Sequence, residues 1–262
     1  MEYLSTEDPL AVATVDAIHK GEVDKLKQLL ADNPGLATVR LGGSTVCDPG
    51  EMARTLLHVA TDWPGHYPNG PATVAALIAA GADVNGRFEG PHTETPLHWA
   101  ASSDDVAVLD ALLDHGADIE APGAVIGGGT PIADATAFGQ WKAGQRLVER
   151  GAKTSLWEAA ALGLLDRVTA HFDGNALPPW PVGPSHPGGV TPDDVTHGFW
   201  SACHGGQQQT AEYLLGRGAD INWIGYDNLT PLGAASRSGA NALVAWLIHR
   251  GAKNTDELKR GC

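Results

Sequence analysis

The feature that most constrains this chain is that it repeats itself. Five segments, LIAAGADVN (Leu77 to Asn85), LLDHGADIE (Leu112 to Glu120), LVERGAKTS (Leu147 to Ser155), LLGRGADIN (Leu214 to Asn222) and LIHRGAKNT (Leu247 to Thr255), are variants of one motif. Each reads as the end of an apolar helix stopped by a glycine in the left-handed region. Upstream stand TLLHVA at Thr55, TPLHWA at Thr95, TPIADA at Thr130 and TPLGAA at Thr230. There Thr is suited to the N-cap and Pro to the first helical position. Each unit is therefore turn, short helix, turn, longer helix, and such a unit buries its apolar face only by stacking on its neighbours.

These residues resemble the ankyrin repeat, whose T-P-L-H-x-A helix and following G-A-D turn recur about every 33 residues. The resemblance is strongest over Thr95 to Glu120. Weaker units begin at Ser155 and Gly198, and a degenerate first unit covers Val15 to Leu30. The expected fold is all-α: one ankyrin-repeat solenoid over 1–262, with units near 10–40, 55–92, 95–127, 130–153, 154–172, 197–227 and 230–258 and an insertion at 173–196. The resemblance implies a concave groove built from first helices and the turns before them, and a partner bound there. It also implies that His58 and His98 are structural, bonding backbone groups of the adjacent turn.

Composition narrows the function classes. The formal net charge of -14 opposes binding to phosphate backbones, and no Lys/Arg cluster offsets it. No nucleic-acid role is expected. No run approaches the roughly 18 apolar residues that span a bilayer, so neither a membrane role nor a targeting segment is expected and the cytoplasm is the expected location. Cys47, Cys203 and Cys262 are too scattered for a disulfide framework.

Departures from the repeat carry the functional information. The turns GRFEGPHTE before Thr95 and APGAVIGGG before Thr130 are each about two residues longer than the repeat pattern and are expected to protrude. TDWPGHYPNGP follows Ala60 as an insertion, and DGNALPPWPVGPSHPGGVTPDDV from Asp173 is a long connection holding Trp180 and His186. Such a segment is either a tolerated insertion or a flap over the groove.

If the residue after the His of TPLH is position i, then i, i+3 and i+4 share the face turned to the groove. Position i reads Asp16, Val59, Trp99, Asp134, Glu158, Ser201 and Ala234; the two later positions add Asp62, Trp63, Phe138, Leu162 and His204. Asp134 and Glu158, on consecutive inner helices, would approach within several Å and be electrostatically coupled. With aromatic neighbours, one carboxyl held protonated and the other ionised is the arrangement acid-base chemistry requires. Each carboxylate is also readable as a solvated partner of a neighbouring Arg or Lys, such as Lys142 or Arg146.

Two functions follow. The first is an interaction scaffold that recognises a partner protein, favouring a basic segment, with Trp63, Trp99, Trp223 and Tyr226 as anchors. The second is a cofactor-free acid-base enzyme or a receptor for a hydrophobic or cationic small molecule. It would use Asp134, Glu158 and His204 as catalytic groups. Asp62, Trp63, His92, Trp99, Phe138, Leu162, Trp180, His197, Trp223 and Tyr226 would bind the ligand. No cofactor is expected. His197, Cys203 and His204 lack metal-ligand spacing, and the run Gly127 to Gly129 lacks the Lys and Ser or Thr of a phosphate loop.

Overall fold

The computed structural model describes residues 3–42, 52–173 and 192–260, which divide into two compact units, 1–152 and 153–262. The insertion at 173–196, read as either a tolerated insertion or a flap, falls mostly outside them, and Trp180, His186, Cys47 and Cys262 lie outside altogether.

In the first unit the helices come in pairs. The shorter, inner members are α1 (Pro9–Lys20), α3 (Leu56–Thr61), α5 (Pro96–Ser102) and α7 (Pro131–Ala137), partnered by α2 (Val23–Asp32), α4 (Gly70–Ala79), α6 (Val106–Asp114) and α8 (Trp141–Glu149). Inner packs on inner and outer on outer along the row. The core between the layers is aliphatic and tight, with Leu56, Leu57, Leu77, Leu97, Leu109, Leu112, Ile132 and Leu147 all fully buried. In the second unit α9 (Leu156–Ala161), α11 (Pro192–His204) and α13 (Pro231–Arg237) are inner, and α10 (Leu165–Phe172), α12 (Gln208–Gly216) and α14 (Asn241–His249) outer, followed by α15 (Thr255–Arg260). Its core centres on Phe199, Leu214 and Leu247.

The punctuation follows the sequence reading. Gly81, Gly116, Gly151, Gly218 and Gly251 all take φ between 86° and 100°, the left-handed conformation that only glycine adopts cheaply. After Gly81, Gly116 and Gly218 an Asp two residues later turns the chain back on itself, as where Asp83 accepts from the Asn85 N–H at 2.9 Å; after Gly151 and Gly251 that position is Lys. Asn85 in turn reaches the next repeat, donating to the Gly116 carbonyl at 3.2 Å and accepting from the Asp118 N–H at 2.8 Å. Asn222 accepts in the same way from the Lys253 N–H at 2.8 Å.

His58 and His98 do what the resemblance implied. Nδ1 of His98 accepts from the Thr95 N–H at 3.0 Å, and its Nε2 donates to the Gly129 carbonyl at 3.4 Å. His58 repeats this with Thr55 at 3.3 Å and the Glu94 carbonyl at 3.1 Å. One ring nitrogen accepts and the other donates, which requires the neutral imidazole. Burial of both rings holds them there, pushing His58 down to about 3 and His98 to about 4.

One element escaped the sequence reading. In the first unit β1 (Tyr3–Leu4), β2 (Arg40–Gly42) and β3 (Ala53–Thr55) form a small sheet of order β1-β2-β3, the first pair parallel and the second antiparallel. Ala53 also bridges to Glu89, so the long turn before Thr95 is anchored to this sheet. Buried Arg40 pairs with Glu89 at 2.9 Å, and Glu89 accepts from the Tyr3 hydroxyl at 2.9 Å.

Candidate functional site

Asp134 and Glu158 belong to different units, and each has a defined local task. Asp134 is only 1% exposed. Its carboxylate accepts from the Ile126 N–H at 3.2 Å and the Val125 N–H at 3.4 Å, so the long turn before Thr130 folds back over it. Gly127 and Gly128, both at positive φ, make that return possible. Desolvation exceeds the gain from the two N–H donors, and the nearby Glu94 carboxylate adds repulsion; together they push Asp134 up to about 7. Arg146, read from sequence as a possible counter-ion, instead pairs with Asp110 at 2.7 Å and Glu149 at 2.9 Å.

Glu158 takes the place that His58 and His98 hold in other repeats. Its carboxylate accepts from the Ser155 N–H at 2.6 Å, closing a capping box at the start of α9. The reason is register. α9 has 6 residues where α5, α7 and α13 have 7. Counted from the glycine turn, Glu158 matches Asp134; counted from the N-cap, it matches His98. The side chain follows the N-cap. Leu162, beyond the end of the same helix, is buried in the core.

Around Asp134 the first unit gathers a second carboxyl that the sequence reading passed over. Glu94 lies in the turn before α5, is 6% exposed, and its Oε2 has no hydrogen-bond partner. Nothing in the sequence distinguishes it from an ordinary acidic turn residue. The Glu94 carbonyl accepts from Phe88 N–H at 2.8 Å and from His58, and Phe88 and His58 both touch the Trp99 ring, at centroid distances of 5.3 Å and 4.8 Å. Trp99 is half-buried. Phe138, the C-cap of α7 one turn after Asp134, is 47% exposed, and Val125 and Ile126 at the tip of the covering turn are 39% and 37% exposed. Arg87, on the hairpin leading to Glu94, donates to the carbonyls of Thr93, at 3.0 Å, and Pro122.

The insertion after α3 is ordered rather than slack. The His66 N–H donates to the buried Asp105 carboxylate at 2.7 Å, His66 Nε2 contacts the Ser103 carbonyl at 3.0 Å, and Asn69 donates to the Gly21 carbonyl at 2.9 Å. This frame presents Trp63 to solvent at 79% exposure. Asp62 beside it is ion-paired with Arg54. His19 stacks on Tyr67 at 4.3 Å with its pKa lowered, chiefly by burial. His92 sits exposed at the tip of the turn before Thr95.

In the second unit the remaining candidates form one aromatic cluster. His197 lies 4.7 Å from Trp223 and 6.1 Å from Tyr226, while Trp200 lies 5.3 Å from Tyr226 and 5.4 Å from His204, ring centre to ring centre. Trp200 is pinned by donating to the Leu229 carbonyl at 2.9 Å. These rings fill one another's space, and Tyr226 carries most of the exposure at 58%. Cys203 is fully buried, which pushes its thiol pKa up and makes it a poor nucleophile.

Among the described residues no group of three or more His, Cys, Asp or Glu is placed to hold a metal ion, and no helix is long and apolar enough to cross a membrane.

Comparison with known proteins fits this construction. The family model "Ankyrin repeat" matches residues 92–124. Over 108 residues, 41% of this chain, the sequence is 37% identical to the RelA-associated inhibitor of Mus musculus. Over 191 residues, 70% of the chain, it is 28% identical to an ankyrin repeat and KH domain-containing protein of Caenorhabditis briggsae. The matched stretches make up only 11% and 7% of those two relatives. Among solved structures, the human ASB11 ankyrin repeat domain aligns over 92% of this chain and 98% of its own, at 20% identity and a TM-score of 0.48. The family match falls on the turn and helix pair built around His98, and the same cap, paired helices and glycine turn recur on either side of it: the chain is an ankyrin-repeat protein.

Proposed function

We propose that this chain recognises a partner protein through the inner-helix face of residues 1–152, and that the partner presents a basic segment. The observation that carries this reading is Trp63. A large apolar ring at 79% exposure is costly to leave in water, yet the backbone around it is fastened at His66 and Asn69. A rigid, exposed aromatic loses little entropy on being covered, which is what an interface anchor needs. Phe138, Val125 and Ile126 add apolar area. The net charge of -14 favours a cationic partner and a fast, salt-sensitive encounter. One relative is named as an inhibitor associated with another protein, RelA, in keeping with a binding role.

An array of Lys/Arg-rich twelve-residue peptides carrying apolar anchors tests the reading. Members that bind should do so more weakly as salt rises. Trp63→Ala should weaken them by roughly 30-fold, the effect of a hot spot worth about 2 kcal/mol. Its melting temperature should not change, because the ring makes little of the core. Absence of any binding member, or binding indifferent to Trp63→Ala, would overturn it.

A second reading, acid-base chemistry or small-molecule binding at Asp134, is favoured by one observation: a buried carboxyl that titrates near neutrality beside a second buried carboxyl. In that reading Glu94, rather than Glu158, is the partner group, and a turnover lost in Asp134→Asn with the fold intact is its signature.

A further inference from the structure

Glu94 presents a problem of charge. It is 6% exposed, its Oε2 has no hydrogen-bond partner, and the buried carboxylate of Asp134 is close enough to repel it. Removing a carboxylate from water without donors costs several kcal/mol, and a second carboxylate nearby raises that cost. The neighbouring groups do not relieve it. His58 and His98 are held neutral, Arg87 donates to carbonyls, and Arg40 pairs with Glu89. The two N–H donors of the turn go to Asp134. The Glu94 backbone is tied to two half-buried aromatic rings: its carbonyl accepts from the Phe88 N–H and from His58, and Phe88 and His58 both contact Trp99, Phe88 at 5.3 Å.

We propose that Glu94 and Asp134, with Trp99 and Phe88, form the anchor site for one arginine side chain of the basic partner. The inference rests on the partner-binding reading above and specifies its chemistry. A guanidinium suits the site better than an ammonium for three reasons. It sheds water at lower cost, it offers several N–H donors in one plane to two separate carboxylates, and it stacks on indole. It supplies the donor that Glu94 Oε2 lacks. The exposed residues Phe138, Val125 and Ile126 then frame the flanking peptide. Because Asp134 titrates near pH 7, seating a cation there expels the proton it carries in part of the molecules.

The test uses the full chain and an array peptide containing one arginine, with a second peptide in which citrulline replaces it. Citrulline keeps the shape and removes the charge. The arginine peptide should bind at least about 10-fold more tightly than the citrulline one. Glu94→Gln should lose the same factor for arginine and bind the two peptides alike, with a melting temperature equal to or above the parent's. Calorimetry at pH 6.5 in buffers of differing ionisation enthalpy should show a fraction of a proton released on binding, and none released by Asp134→Asn. Equal binding of both peptides by the parent, or full arginine preference in Glu94→Gln, overturns the anchor. If Trp63→Ala still weakens binding in that case, the partner-binding reading stands without it. If lysine-rich members bind and no arginine-containing peptide does, the anchor alone fails; if no member of the array binds at all, both fail.

Discussion

Asp134→Asn is expected to be more stable than the parent at pH 8 by as much as roughly 4 kcal/mol and to lose nearly all of that advantage by pH 4. The sign follows from the direction of the shift. Asp134 is raised from 3.8 to about 7 by burial, so the folded state holds its proton more tightly than the unfolded chain does. Its contribution therefore worsens as pH rises from about 4 to about 7 and is fully unfavourable above that. Asn keeps an oxygen for the Val125 and Ile126 N–H groups and carries no charge to bury. His58 and His98 run the opposite way. Their folded values, about 3 and about 4, lie below the ordinary 6.5, so the stability they carry is complete above pH 6.5 and is lost as pH falls. At pH 4 the two together cost roughly 6 kcal/mol, an amount comparable to the whole stability of a small domain. In the parent, protonation of Asp134 offsets most of this loss, and these three groups contribute a shallow slope from pH 7 to pH 4. In Asp134→Asn the offset is gone, and the profile should fall steeply below pH 6. Chemical denaturation at five or six pH values measures both slopes. Parallel profiles for parent and variant would show that Asp134 is not held protonated in the folded state.

Gly205→Ala is expected to destabilise residues 153–262 by roughly 3 kcal/mol or more, lowering the melting temperature on the order of 10 °C. A Cβ at Gly205 would lie 1.9 Å from the Ala161 carbonyl oxygen. The obstacle is backbone and does not rotate aside, so α9 and the end of α11 would have to separate. Gly216→Ala is the matched control. Nothing lies within 4 Å of a Cβ there, and the residue closes α12. It should be neutral or stabilise by up to about 1 kcal/mol by restricting the unfolded chain. Thermal melts of both variants decide the point, and similar losses in the two would refute the packing argument.

The repeat was legible because its punctuation is chemical. Thr before Pro, His at the third helical position and Gly before Ala-Asp each have one backbone task, and the structure puts each to that task. The site was less legible, for reasons that are also physical. Helical periodicity placed Asp134 on the inner face but was silent on its donors, which come from Val125 and Ile126 in a turn whose length predicted protrusion rather than return. Glu158 was ambiguous because α9 is one residue short, and periodicity cannot say from which end to count. Glu94 precedes an N-cap, where acidic residues are commonplace, and only burial marks it out. The strands at 3–4, 40–42 and 53–55 are too short to show an alternation.

The bonds made by Asn85 and Asn222 bear on how disorder would spread. Each ties a turn to the turn of the repeat that follows, so a repeat is held partly by its successor. Within 153–262 α15 holds the turn at 225–229 by contacts of its own: Thr255 donates to the Asn228 carbonyl at 2.7 Å, and the Asn254 N–H is capped by Glu257 at 2.8 Å. α15 buries no side chain of its own. Its few polar contacts act as a latch on the neighbouring turn at 225–229, and its opening gives that turn freedom to rearrange.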